Sequence, residues 1–192
     1  MIRLVVITLL ILPLMSFAGE EPKIVRQGKT TTVVINDDIK ATLKKWDAKA
    51  TILNSDNFSD EVWGLYTKND PDSLPMATVG DFNGDGKNDI GLLVKTGNEL
   101  KAIAALSQKK GHSIHEVKKF SLNDQSIIEQ KASKEKTLKI KIYLFTEKKE
   151  RLKHSKGMAL RDGFQIEQLY SPNTTVHYAK NGQFLEYKGL VK

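Results

Sequence analysis

The sequence predicts an α+β fold, with an N-terminal helical portion followed by a mostly antiparallel β-sheet laid out as a meander. Three observations carry that prediction. Ile39, Leu43 and Trp46 recur at helical spacing behind Asn36, a helix-capping residue type, and the acids Asp37 and Asp38 stand where the positive end of a helix dipole favours them. Strand-like runs at 90–94, 100–106 and 114–120 are separated by the turns Thr96-Gly97-Asn98 and Lys109-Lys110-Gly111. Leu138, Ile140, Ile142 and Leu144 alternate with Lys139, Lys141 and Tyr143, the pattern of a strand with one buried face.

The elements follow in order. Arg3 precedes an apolar run from Leu4 to Met15, and Ser16-Phe17-Ala18 puts small residues where a signal peptidase reads, so residues 1–18 are expected to be a signal peptide cleaved before Gly19. A membrane anchor needs about twenty apolar residues, and Pro13 and Ser16 cut this run short, so no stable membrane insertion is expected after cleavage. The expected location is periplasmic or secreted. Residues 19–32 are polar and expected to be poorly ordered, and residues 33–192 are expected to form a single α+β domain. A short strand over 31–35 leads into the helix.

Segment 56–66 carries Phe58, Val62, Trp63, Leu65 and Tyr66 and is read as a second helix, followed by the turn cluster 68–73. Beyond the meander, the polar segment 122–133 admits a helix, and 147–156 is charged and read as an exposed loop. Strands are expected at 164–170, 175–179 and 184–187. The last two are joined by Asn181-Gly182, a strong two-residue hairpin signal.

Between the helices and the meander lies Val79-Gly80-Asp81-Phe82-Asn83-Gly84-Asp85-Gly86-Lys87-Asn88-Asp89-Ile90, the most informative stretch of the chain. Asp81, Asn83, Asp85 and Asp89 occupy loop positions 1, 3, 5 and 9, so four hard-oxygen side chains can converge on one volume. Ca²⁺ suits such a set, because it takes six to eight oxygens in a tolerant geometry, and the carbonyl of Lys87 and water would complete it. Three carboxylates repel one another in an empty loop, so a divalent cation removes a cost while adding contacts. An EF-hand would need a bidentate Glu at position 12, where this chain has Leu92, and the exit Ile90-Gly91-Leu92-Leu93-Val94 reads as a strand. The same residue types also suit a plain turn without an ion; three acids at alternate positions favour the ion.

The string Gly-Asp-Phe-Asn-Gly-Asp-Gly-x-x-Asp-Ile resembles the calcium loop of FG-GAP or VCBS repeats, the type found in integrin α-chain propellers. The resemblance covers about fourteen residues of the hairpin at 79–94 and implies side-chain ligation of Ca²⁺ by Asp81, Asn83, Asp85 and Asp89, with Lys87 contributing its carbonyl. One copy cannot build a propeller, which needs about four to eight blades. The overall layout is similar to that of small exported bacterial proteins carrying a single repeat of this type.

Composition narrows the function. No cysteine occurs, which removes disulfides, thiol catalysis and thiolate ligands. The net charge of +7 is spread over lysines without Arg-rich runs or interleaved aromatics, so it reads as a solvated exterior and no nucleic-acid partner is expected. There is no Gly-x-Ser-x-Gly, no His-Glu-x-x-His and no phosphate-binding Gly-rich loop. His112 and His115 lie three apart where a strand begins, on opposite faces, so a shared zinc is not expected; His154 and His177 read as surface or hydrogen-bonded residues. These features point to an exported, non-enzymatic binding or structural module with a calcium-stabilised hairpin, facing a cell-envelope protein or polysaccharide. The alternative is a calcium-stabilised hydrolase acting on a cell-envelope polymer.

Overall fold

The chain folds as a β-rich protein, and this overturns the α+β expectation. The computed structural model describes residues 20–27, 30–66, 73–129, 139–147, 162–169, 171, 175–180 and 183–187. Among these are fourteen strands and two short helices, α1 (Asp37–Trp46) and α2 (Asp60–Tyr66). The expected helical signals are real but short, and strands fill the space around them. Segment 19–32, expected to be poorly ordered, contributes β1 (Lys23–Gln27), which pairs antiparallel with β2 (Thr30–Val34). The β-branched run Thr30 to Val34 favours that extended pairing. The expected signal peptide, residues 1–18, lies outside the described residues, as do 67–72, 148–161 and Asn181-Gly182.

Helix α1 forms as its cap predicts. Asn36 Oδ1 accepts the Ile39 N–H at 2.8 Å, Asp37 and Asp38 occupy the first turn, and Lys44 and Lys45 the last. Ile39 and Leu43 are buried. His112 Nδ1 meets Asp38 Oδ2 at 2.7 Å, which ties the start of the helix to the start of the strand His112–Ser121.

The main sheet runs β4 (Ser73–Leu74), β5 (Ala77–Gly80), β6 (Asp89–Thr96), β7 (Glu99–Ser107), β8 (His112–Ser121), each neighbour antiparallel. Past the start of β5, β3 (Thr51–Ile52) takes its place beside β6. A second sheet of four strands runs β11 (Ile142–Glu147), β12 (Gly163–Gln168), β13 (Thr175–Lys180), β14 (Gln183–Tyr187), also antiparallel throughout. The short pair β9 (Ile128–Glu129) and β10 (Lys139–Ile140) lies apart from both.

Two expectations in this half are corrected. The alternating run 138–144 is not one strand. The ladder switches sheets at Lys141, whose N–H donates to the Ile127 carbonyl while its own carbonyl accepts from Leu169 N–H. Tyr143 is buried together with Ile142 and Leu144, so both faces of this strand are covered. The described part of 122–133 forms turns and β9, with Asp124 Oδ1 accepting from Ser126 N–H, and no helix.

The two large sheets meet through aromatic rings. Residues paired directly across a ladder share a face, so Thr146, Phe164, His177 and Glu186 form one row across the four-stranded sheet. Phe164 lies over Gly91 of β6. A Cβ at Gly91 would stand 2.2 Å from Phe164 Cε2, so only glycine admits the ring there. Phe82, at the second loop position, is fully buried with its ring centroid 5.6 Å from that of Phe164. Burying one such ring stabilises the fold by about 1.5–3 kcal/mol. Phe82 therefore pins the acidic loop into the intersheet core. Among the described residues, no helix is long and apolar enough to cross a membrane.

Candidate metal centre

The loop closes between β5 and β6, where Gly80 faces Asp89 across the ladder. Gly84 and Gly86 adopt φ of 82° and 83°, the left-handed region open to glycine, and so allow the connection from Asp81 to Asn88 to curl between the two strands.

Each predicted side chain has a defined partner set. Asp81 Oδ1 accepts from the N–H groups of Gly84 at 2.7 Å and Asp85 at 3.0 Å, and its Oδ2 accepts from Gly86 at 3.0 Å. Asn83 Oδ1 also accepts from Asp85 N–H, at 2.9 Å, which places the Asp81 and Asn83 oxygens around one amide. Asp85 Oδ1 accepts from Lys87 N–H at 2.9 Å and its Oδ2 from the Ser107 hydroxyl at 2.7 Å. Lys87, expected to offer its carbonyl, enters this network through its N–H, and its side chain is exposed. Asp89 is fully buried; its Oδ2 accepts from Phe82 at 2.9 Å and Asn83 at 3.0 Å, and its Oδ1 from Ser107 N–H at 2.7 Å.

The electrostatics follow from burial. Burial pushes the Asp89 carboxyl up to about 6, against the amide bonds from Ser107 and Asn83 that favour its charged form, and Asp85 nearby adds to the rise. For Asp85 partial burial pushes the other way from the result. The Ser107 hydroxyl, Lys87 N–H and Asn83 together hold its carboxyl below the usual value. Among the described residues, none of Asp81, Asp85 and Asp89 makes a salt bridge to a basic side chain. No three Asp, Glu, His or Cys side chains among them stand together as a closed metal cage. The loop thus gathers its oxygens around shared amides and one serine, and does not bring the three carboxylates to a single point. The donor types are those a hard divalent cation takes, but among the described residues they do not form a group that could hold one.

Two contributors were not foreseen. Ser107 ends β7 and touches Asn83, Asp85 and Asp89; its only trace in the sequence is a polar residue closing the apolar run 100–106. Asp162 is buried beside the loop, its N–H donating to the Asp81 carbonyl at 2.9 Å and its Oδ2 accepting from Asp81 N–H at 3.1 Å. Nothing local marks it.

Outside the loop, His112 and His115 do not share a site: His112 meets Asp38, and His115 Nε2 lies 2.9 Å from Ser113 Oγ. His177 corrects the surface reading. It is buried and, among the described residues, its Nε2 has no hydrogen-bond partner. Burial, with the Lys118 charge adding to it, pushes the imidazole down to about 4 despite Glu186.

Comparison of the chain with protein-family models, with curated proteins and with solved structures finds no match. The likeness to FG-GAP or VCBS loops therefore rests on the loop residues alone.

Proposed function

We propose that this protein is an exported, non-enzymatic binding or structural module whose β5–β6 loop takes up Ca²⁺ and thereby stiffens a surface offered to a cell-envelope protein or polysaccharide. One observation carries the reading. Three acids and an asparagine share a nine-residue loop, in hydrogen-bonding reach of common partners, with no basic side chain among the described residues in a salt bridge to any of them. Such a concentration of negative charge is costly at short range, and a bound divalent ion would offset it. Asp81, Asn83, Asp85 and Asp89 would hold the ion by side chain, and Lys87 by its carbonyl.

Extracellular sites of this kind bind at about 10⁻⁴ to 10⁻³ M. At a free ion level ten times the dissociation constant, linkage would stabilise the fold by about 1.4 kcal/mol. For a chain of this size that is a rise in melting temperature of about 3–6 °C, reversed by chelator. Melting curves of the mature protein with Ca²⁺ and with chelator test the reading. The wild type should shift and Asp85→Ala should not. Identical curves for the wild type in both buffers would rule out the calcium assignment, and a normal shift in Asp85→Ala would remove Asp85 from the ligand set.

A further inference from the structure

We propose that the β13–β14 hairpin is a flap that acid releases, latched by a neutral His177 in the seam between the two large sheets. The row Thr146, Phe164, His177 and Glu186 lies on the face of the second sheet turned toward the first. Thr146 Oγ1 donates to the Val79 carbonyl of β5, and Phe164 lies over Gly91 of β6. His177, next in the row, is buried, and among the described residues its Nε2 has no hydrogen-bond partner. A neutral imidazole tolerates that place. An imidazolium would carry an N–H at Nε2 with nothing to accept it, and a charge withdrawn from water.

The surroundings add to that cost. Burial disfavours the charged imidazole most, the Lys118 ammonium of β8 works in the same direction, and Glu186 of β14 offsets part of it. Lys118 is held on this face, its Nζ 5.8 Å from the Phe120 ring centroid. Strand β8 brings a second imidazole, His115, whose ring centroid lies 6.3 Å from that of Phe184 in β14 and which burial also holds below its ordinary value. Phe184 in turn meets Phe164 edge-on, with centroids 6.4 Å apart. The same few side chains thus join β14 to β8 and to β12. Protonating both imidazoles sets His115, His177 and Lys118 together as cations where Glu186 is the facing carboxylate.

The hairpin can leave without unmaking the rest. Strands β13 and β14 pair from Val176↔Tyr187 to Lys180↔Gln183, so each holds the other. Among the described residues β13 meets β12 only from Phe164↔His177 to Ile166↔Thr175, whereas β11 pairs with β12 along its whole length. The shortest ladder of the second sheet therefore ends at His177, and an edge element with few bonds opens at lower free energy than a core. In the released hairpin His177 titrates near 6.5, and in the closed one at about 4. The closed form is fully favoured above pH 6.5 and loses ground as pH falls from 6.5 to 4. Release bares Phe184 and the Phe164 ring, an apolar seam that the closed form hides.

Hydrogen exchange of the protein, read by mass spectrometry at pH 7 and pH 5 and corrected for intrinsic exchange rates, tests the latch. Wild-type amides of β13 and β14 should lose about 30-fold in protection between the two pH values. At both they should exchange faster than those of β6 and β7. His177→Leu removes the titration and should lose far less protection on acidification. A response in that variant as large as in the wild type overturns the proposal. Equal protection of β13–β14 and β6–β7 also overturns it, by showing that the molecule opens as a whole, and so does wild-type protection that ignores pH. These last two outcomes are read on the wild type and stand whether or not the variant folds.

Discussion

Asp81 and Asp162, 81 residues apart in sequence, exchange two hydrogen bonds: Asp162 N–H donates to the Asp81 carbonyl at 2.9 Å, and Asp81 N–H donates to Asp162 Oδ2 at 3.1 Å. This pair fastens the acidic loop of one sheet to the start of β12 in the other. Phe82, the next residue, is buried on Phe164, two residues after Asp162. Loop and second sheet are joined by a polar clasp with an aromatic contact directly behind it.

Asp162→Ala should therefore loosen the junction. It leaves the Asp81 N–H without its side-chain partner in a half-buried place, at a cost of about 1–3 kcal/mol. Asp162→Asn keeps an acceptor and should recover much of that. Urea unfolding of the three proteins checks the order; an Asp162→Ala variant as stable as wild type would show that the clasp contributes nothing.

The loop acids should separate into two classes. Asp89 holds the N–H groups of Phe82, Asn83 and Ser107 from a fully buried position. Asp89→Ala strands three amides and should cost on the order of 3–5 kcal/mol with or without calcium. Asp85 is exposed and its loss in chelator should cost about 1 kcal/mol or less. Equal destabilisation by the two changes, measured by urea unfolding in chelator, would contradict this division.

Gly91→Ala should overpack the sheet interface. The added Cβ would stand 2.2 Å from Phe164 Cε2 and 2.8 Å from its Cδ2, so either the ring or the sheet must shift. We expect a loss of about 1–3 kcal/mol or more. Combined with Phe164→Leu, the cost of Gly91→Ala should shrink, because the two residues share one volume. Strictly additive losses in the double variant would argue against the contact.

His177 supplies a pH dependence of known sign. Its folded value is held down to about 4, against 6.5 for an unburied imidazole. Above pH 6.5 both states are neutral and the contribution to stability is complete. As pH falls from 6.5 to 4 the unfolded chain takes up the proton first, and about 3 kcal/mol is lost across that window. His177→Leu removes this titration together with the unpartnered Nε2, and should match or exceed wild type at pH 7. Unfolding free energies at pH 7, 5.5 and 4 should show the variant gaining on wild type by about 3 kcal/mol toward acid. A constant difference between them would mean that His177 does not titrate in this range.

Helix α1, the three meander strands and the acidic loop could be read directly from the chain, because each is specified by near neighbours. Asn36 caps at i+3, Ile39 and Leu43 repeat at helical spacing, and Asp81 bonds amides three to five residues ahead of it. The fold is β-rich and not α+β because the two helical signals each specify only a short helix, with strands on either side. The β1–β2 hairpin and the sheet switch at Lys141 are set by pairing with distant or unremarkable segments.

Nothing in Thr-Val-His-Tyr-Ala marks the His177 imidazole as core. Only the packing of β13 shows Val176, His177 and Ala179 all buried. What the sequence determined by itself is local: one capped helix, a run of antiparallel strands, and four oxygen-bearing side chains at alternate places in a glycine-bent loop. What the tertiary structure alone decided is which remote groups hold that loop, Ser107 from β7 and Asp162 from the second sheet. The physical reason is reach. A cap or turn is fixed by bonds spanning a few residues, whereas a hydroxyl 22 residues away arrives only when β7 pairs with β6, and a carboxylate 81 residues away only once the second sheet has closed over Phe82 and Phe164.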